Sequence, residues 1–413
     1  METMENANER AKARAKNAGS RQPHIDDVRS LVIFLVVLIH ASVTYSGLGG
    51  WYIVENKPDS IDMATKALCG FFNSFNQAWF MGIMFFFGGY FAFEALSRKG
   101  PGSFLRDRLL RLGIPLAAYM LAFQPLIVYY VAYPQELRPM GSLFSLYFGR
   151  YLATGMFLDG SGPLWFAEAL LAFCAILALA ARQIPRLGKP ASGGAKVPST
   201  AKLLSVALFT AAFAFALRLF WPIGTDWMNL QFCFFASYIV LFVLGVLGAR
   251  GGWFLELTSG ARSRWLIAVF AIGVPAWACI MLFGGILTVS LDSMNGGLTW
   301  QSAAYALWES FTAIGMCVGL TAAFANRAGA KRRATLAEID IPSPGALSRF
   351  LSRNSFSVYV FHPAVLIAIT KLARGWALPT LAKALIVGLA AYAITIALAE
   401  LVVRRVPGVR KYF

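Results

Sequence analysis

The sequence predicts an all-α fold: a polytopic transmembrane helical bundle of about ten spans with both termini cytoplasmic. Three observations predict it. Of 413 residues, 58% are hydrophobic and 14% charged, with a mean hydropathy of +0.61, which excludes a water-soluble globule. Apolar stretches of about twenty residues, each able to cross about 30 Å of hydrocarbon, recur along almost the whole chain. The 37 Lys and Arg against 20 Asp and Glu give a net charge of +17. They avoid the apolar stretches and collect in alternate loops, a distribution that orients a membrane protein and not a groove for nucleic acid.

In chain order the spans fall near 29–47, 70–95, 112–132, 163–182, 203–221, 230–249, 265–287, 303–325, 355–373 and 379–403. Residues 1–28 form a polar tail without the apolar core and cleavage site of a secretory signal. The membrane domain covers 29–405, and 406–413 form a second tail. The two tails and the loops after spans two, four, six and eight, counted together with the span ends that adjoin them, carry 29 of the 37 basic residues, which places both termini on the cytoplasmic side. Leu143 to Phe157 is apolar but interrupted by Arg150, so whether it crosses, re-enters or lies on the outer surface stays open; Gly251 to Ser263 is a similar ambiguity on the inner side. Pro185 to Thr200 and Asn326 to Pro344 are expected as mobile cytoplasmic loops. The five cysteines have no metal-type spacing and read as packing residues, so neither a metal nor a permanently bound cofactor is expected. No internal repeat stands out, which weakens a transporter reading.

An ionisable group in the bilayer core costs several kcal/mol, so each one that persists there is a functional candidate. Of three histidines, His24 is in the tail, while His40 and His362 fall inside the first and ninth spans. His40 lies eleven residues beyond Arg29 and His362 nine beyond Arg353, about 16 and 14 Å at 1.5 Å per residue. Both reach the same layer near the midplane, so two imidazoles can line one cavity if their helices are neighbours. A buried imidazole suits a general base, a proton relay, or a packing role satisfied by a backbone carbonyl. Arg29 closes the cluster His24-Ile25-Asp26-Asp27-Val28-Arg29, where it reads equally as a positive-inside anchor paired with an aspartate.

Arg106, Arg108 and Arg111 precede Pro115, and Arg108 and Arg111 share a helix face. Such a cluster can hold the phosphates of a nucleotide-bearing cosubstrate or touch anionic lipid. Toward the outer face, Asn73, Gln77, Glu168 and Glu309, with Trp165 and other tryptophans, would suit a polyhydroxylated ligand; an aromatic belt is the simpler reading of the tryptophans. Gly88 and Gly89 break the aromatic run Phe85 to Phe91 and permit close backbone approach or plain helix packing.

The ordered set of motifs resembles the acyltransferase-3 family of integral membrane O-acyltransferases. The motifs are D-x-x-R at Asp26 to Arg29 with His40 downstream, FFFGGYF from Phe85, R-x-x-R-x-x-x-P at Arg108, Arg111 and Pro115, PLWF at Pro163 to Phe166, and SVYVFHP at Ser357 to Pro363. The glucan biosynthesis protein C-like branch looks nearest. The resemblance implies transfer of an acyl group, acetyl or succinyl, from cytoplasmic acyl-CoA as cosubstrate to a hydroxyl of an extracytoplasmic glycan, in a bacterial inner membrane. It implies His40 as the key catalytic residue, with Arg29 as its companion or donor-binding group. His40 then acts as general base with His362 beside it, and an acyl-histidine intermediate is the competing mechanism. Donor binding would fall to Arg106, Arg108, Arg111 and Tyr359, and acceptor binding to Trp165, Glu168, Asn73, Gln77 and Glu309. Where many members carry a serine, this chain has Gly88, so no role of that hydroxyl carries over. The alternative is a proton-coupled transporter or flippase using the same histidines. The lipid bilayer is the implied environment, and the oligomeric state stays open.

Overall fold

The computed structural model describes residues 23–191, 196–253, 257, 263–285, 292–336 and 346–405. Among these residues there is no β-strand, and ten helices are long and apolar enough to cross a membrane. They are α1 (Pro23–Ser46), α2 (Met63–Lys99), α3 (Pro101–Ala132), α4 (Gly162–Gln183), α5 (Thr200–Arg218), α6 (Phe232–Gly251), α7 (Arg264–Phe283), α8 (Trp300–Leu336), α9 (Ala346–Leu372) and α10 (Thr380–Leu401). Each overlaps one expected span. The chain is an integral membrane protein.

Three departures from the expected boundaries have local causes, and one stretch that the sequence left open takes a definite form. Helix α1 begins at Pro23, so residues 23–28 of the expected tail are helical; proline's fixed φ suits a first turn. Helix α3 begins at Pro101 and takes in all three arginines of the expected loop. It widens into π turns at Leu109–Gly113, Tyr119–Phe123 and Ile127–Ala132, where Pro115 and Pro125 interrupt the regular ladder. Helix α8 runs on to Leu336 through the segment expected as a loop from Asn326, because its Ala, Lys and Arg favour continuing a helix already nucleated. The stretch after Ser142 folds into short helical pieces from Leu143 to Leu152, about 15 Å long and too short to cross. Tyr147 and Tyr151 pin it to α3 by donating to the carbonyls of Leu121 (2.9 Å) and Met120 (2.6 Å). The tail residues 1–22 and 406–413, part of the 185–200 linker, most of 251–263 and residues 337–345 lie outside the described residues.

Two glycines set the tightest helix crossing. A Cβ on Gly89 of α2 would sit 2.0 Å from the Phe242 carbonyl oxygen, and one on Gly245 of α6 would sit 2.0 Å from that of Phe86. Without a solvophobic force between helices in lipid, such close backbone approach is what holds them together. Helix α2 is capped by Asp62, which accepts from Thr65 N (2.9 Å) and Thr65 Oγ1 (2.6 Å); these bonds hold its carboxyl below the usual range.

At one end of the bundle α1, α9 and α10 meet through Ser30 and Ser355 (3.1 Å), Ser348 and Asp27, and Arg353 and Glu400 (2.6 Å). This end also carries Arg29, Arg98, Arg108 and Arg111 and is called the basic end below. At the opposite end Glu55 pairs with Lys383, and Lys371 donates to the Ala132 carbonyl (2.8 Å).

Helices α5 and α8 are joined by a fully buried ion pair, Arg218 to Glu309, at 2.5 Å. The guanidinium also lies over the rings of Phe234 (5.6 Å) and Tyr305 (5.4 Å). Removing one partner strands the other charge. Glu309→Ala is expected to destabilise the solubilised protein by about 3–5 kcal/mol, read as a fall in Tm, and the double change Arg218→Met with Glu309→Leu to recover most of that loss. An unchanged Tm in Glu309→Ala would contradict the pairing.

Candidate active site

The two intramembrane histidines meet. His40 Nδ1 lies 2.9 Å from His362 Nε2, with ring planes within 3° and centroids 5.1 Å apart, so the imidazoles lie edge to edge in one plane. His362 is fully buried and His40 partly exposed. The other nitrogen of His362, Nδ1, faces the carbonyl oxygens of Tyr359 (2.9 Å) and Val358 (3.1 Å). Carbonyls only accept, so Nδ1 carries the hydrogen. With both rings neutral, His362 Nε2 is then a bare acceptor and His40 Nδ1 donates to it. His40 Nε2 is left with its lone pair and no hydrogen-bond partner among the described residues.

The sequence dictates this chain of donors through His-Pro. A residue at 363 with an N–H would occupy the Tyr359 carbonyl, four residues back in the helix. Pro363 has no N–H, so that oxygen is free to take the His362 hydrogen. Tyr359 itself faces away and donates to the Pro163 carbonyl, tying α9 to the start of α4.

Trp51 covers the pair. Its ring stacks on His40 at 3.6 Å and 14°, and lies parallel to His362 at 6.0 Å. The segment following α1 turns back over the helix at Gly47 and Gly49, whose φ of 69° and 133° favour glycine. It is held there by Glu55 N to Thr44 O (2.7 Å), Asn56 Nδ2 to Tyr45 O (2.9 Å), and Tyr133 to Tyr52 O (2.8 Å). Tyr52 also donates to Gln124 Oε1 (2.6 Å), and its burial pushes its phenol upward in pKa.

From the basic end a cavity of about 680 Å³ runs inward between α1, α2, α3, α4 and α9. Arg29, Arg98, Lys99, Arg108 and Arg111 line it against two carboxylates, Asp26 and Glu94. Some of this charge is engaged: Arg29 pairs with Asp26 (3.7 Å), Lys99 with Asp107, and Arg108 donates to the Phe91 carbonyl (3.2 Å). The inner end reaches Phe166 and Tyr359, the latter with its ring 6.4 Å from that of His362. A second cavity of about 490 Å³ opens at the opposite end, lined by Tyr52, Tyr133, Glu136, Lys371 and Arg374. The imidazole pair therefore lies between two cavities, with Tyr359 on one side and Trp51, next in sequence to Tyr52, on the other.

The residues singled out from sequence divide accordingly. His40 and His362 come together, and Arg29, Arg108, Arg111 and Tyr359 share the larger cavity. Arg106 does not line it: two residues from Arg108, it lies about 200° round the helix and is exposed. The five candidates for the acceptor do not gather. Gln77 Nε2 donates to Tyr238 (3.3 Å), whose ring packs on Trp165 (5.7 Å); Asn73 Nδ2 donates to the Leu48 carbonyl (3.0 Å); Glu168 is partly buried; and Glu309 is committed to Arg218. None of the five lines either cavity. Sequence reasoning missed Arg98 and Lys99, which read as ordinary flanking charges of α2, and the contact of Trp51, for which Gly47 and the Gly49-Gly50 pair were the available signal.

Ten apolar helices around a basic cavity and a histidine pair have the parts of a membrane-embedded group-transfer enzyme. The chain belongs to the acyltransferase-3 family: the family model described as an acyltransferase domain, Acyl_transf_3, matches residues 23–400, and the protein is a membrane acyltransferase. Comparison with curated proteins and with solved structures gives no match.

Pro363→Ala would return an N–H that competes for the Tyr359 carbonyl. Acyl-transfer turnover is expected to fall about tenfold, or about 1.4 kcal/mol on the barrier, while Tm stays level or rises. Unaltered turnover with an intact helix would show that the freed carbonyl does not orient His362.

Proposed function

We propose that the protein carries an acyl group from cytoplasmic acyl-CoA to a hydroxyl of an extracytoplasmic glycan, with His40 as general base. The observation that carries this reading is the bare Nε2 of His40, oriented by His362 and placed beyond the inner end of the basic cavity. The excess of cations at that cavity's mouth matches the phosphates of CoA, and guanidinium groups suit them by their planar donor geometry. The basic end then faces the cytoplasm, in keeping with its charge.

In this reaction the acceptor hydroxyl gives its proton to His40 Nε2 as its oxygen bonds to the thioester carbon. The C–S bond then breaks, and the departing thiolate recovers the proton from the imidazolium. His362 acts as a positioning residue, and it stabilises the cation because its Nδ1 hydrogen faces two carbonyl dipoles. The acceptor enters through the cavity beside Tyr52, and the two substrates meet when Trp51 and Tyr359 swing aside. The donor chain from His40 ends on backbone carbonyls and not on a further titratable group, which favours local base chemistry over a proton relay for transport.

The test is release of free CoA from acyl-CoA in membranes that contain the native acceptor. His40→Ala is expected to lower it about a hundredfold to ten-thousandfold, the usual contribution of a general base. Equal rates in the variant and the wild type would defeat the reading. Substrate flux without CoA release would assign the histidines to transport.

A further inference from the structure

One face of α2 forms the floor of the larger cavity: Met81, Met84, Gly88, Phe91, Ala95 and Arg98. Their spacing of three, four, three, four and three keeps all six on one stripe of the helix. Over about 25 Å, at 1.5 Å per residue, the stripe is apolar until Arg98. The cavity is thus cationic at its mouth and apolar at its inner end.

The inner end lies near the depth of the histidines. Phe85, next to Met84 in sequence, packs on Phe166 at 4.6 Å. Phe166 follows the Pro163 turn to which Tyr359 is bonded, and Tyr359 is one helical turn from His362. Met81 lies a further turn of α2 beyond Phe85, toward the end that carries Trp51. The recess of Met81 and Met84 therefore extends past Tyr359, with Leu170 and Phe166 as its opposite wall.

Gly88 is needed for this shape. A Cβ there would come 2.8 Å from Leu170 Cδ1, so any side chain at 88 must push Leu170 or fill the recess. Methionine pairs of this kind adapt to hydrocarbon of variable form. The cations lie elsewhere: Arg29 is eleven residues before His40 on α1, about 16 Å below it, and Arg98 is at the far end of the stripe. A carboxylate at the tip of the acyl group would be buried among methionine and phenylalanine without a partner.

We infer that Met81, Met84 and Gly88, facing Leu170, form the acyl seat, and that it takes an uncharged hydrocarbon acyl group longer than acetyl, in preference to acetyl or succinyl. The inference rests on the acyl-CoA reading above and names its substrate class. Each methylene buried in the seat should tighten binding about fourfold.

The test is the affinity of CoA, acetyl-CoA, butanoyl-CoA and succinyl-CoA for the full-length protein in lipid nanodiscs, without acceptor. Butanoyl-CoA, with two more methylenes, is expected to bind about sixteenfold more tightly than acetyl-CoA, and succinyl-CoA more weakly than butanoyl-CoA. Gly88→Val and, independently, Met84→Trp should remove the butanoyl advantage while affinity for CoA itself persists, which also reports that each variant is folded. Equal affinity for acetyl and butanoyl donors, tightest binding of succinyl-CoA, or an undiminished butanoyl advantage in both variants would overturn the acyl seat alone. Failure of every thioester and of CoA to bind would overturn the donor reading and the seat together.

Discussion

The hydrogen bond from His362 Nδ1 to the Tyr359 carbonyl is the constraint on which the rest of the site depends. It exists because Pro363 leaves that oxygen without its helical partner. From it the protonation of each successive nitrogen follows, and the only lone pair left without a partner in the pair is on His40 Nε2. A carboxylate in the place of the carbonyls would orient the ring as well, but would add a charge in lipid at a cost of several kcal/mol. Backbone dipoles orient the imidazole without one.

The same economy of charge runs through the surrounding helices. Cations are kept at the basic end of the larger cavity, where aqueous phosphate can reach them, and the interior of the groove is built from Met, Phe and Gly. The buried Arg218 and Lys383 are the exceptions: Arg218 is neutralised by Glu309 and flanked by aromatic faces, and Lys383 is neutralised by Glu55. Glycine serves two ends on adjacent residues of α2. Gly89 lets α6 approach to backbone contact, which fixes the helix, while Gly88 on the neighbouring face leaves the groove open beside Leu170. A single aromatic-glycine run thus couples bundle packing to the shape of the cavity.

The spans were legible in the sequence because crossing a bilayer demands a long apolar window, and that demand is independent of how the helices pack. The matched depth of His40 and His362 was legible for the same reason, since distance along a helix from a flanking arginine is simple arithmetic. Their contact required α1 and α9 to be neighbours, which hydropathy does not encode. The acceptor candidates illustrate the limit. Glu309 is polar near a span end, as expected of a vestibule, yet its partner Arg218 stands 91 residues away and looks like an ordinary flanking charge. Trp51 reads as an interfacial tryptophan until the turn at Gly47 folds it over His40. The helix through Leu336 was missed because basic residues mark a membrane boundary but do not end a helix.

With only three histidines in the chain, the tautomers can be observed directly. Nitrogen-15 NMR of histidine-labelled protein in lipid, assigned with His24→Gln and His362→Gln, should show both intramembrane rings in the neutral form with hydrogen on Nδ1 and a bare Nε2. A hydrogen on His40 Nε2, with Nδ1 bare, would contradict the account, because the nitrogen assigned to take the acceptor's proton would already hold one.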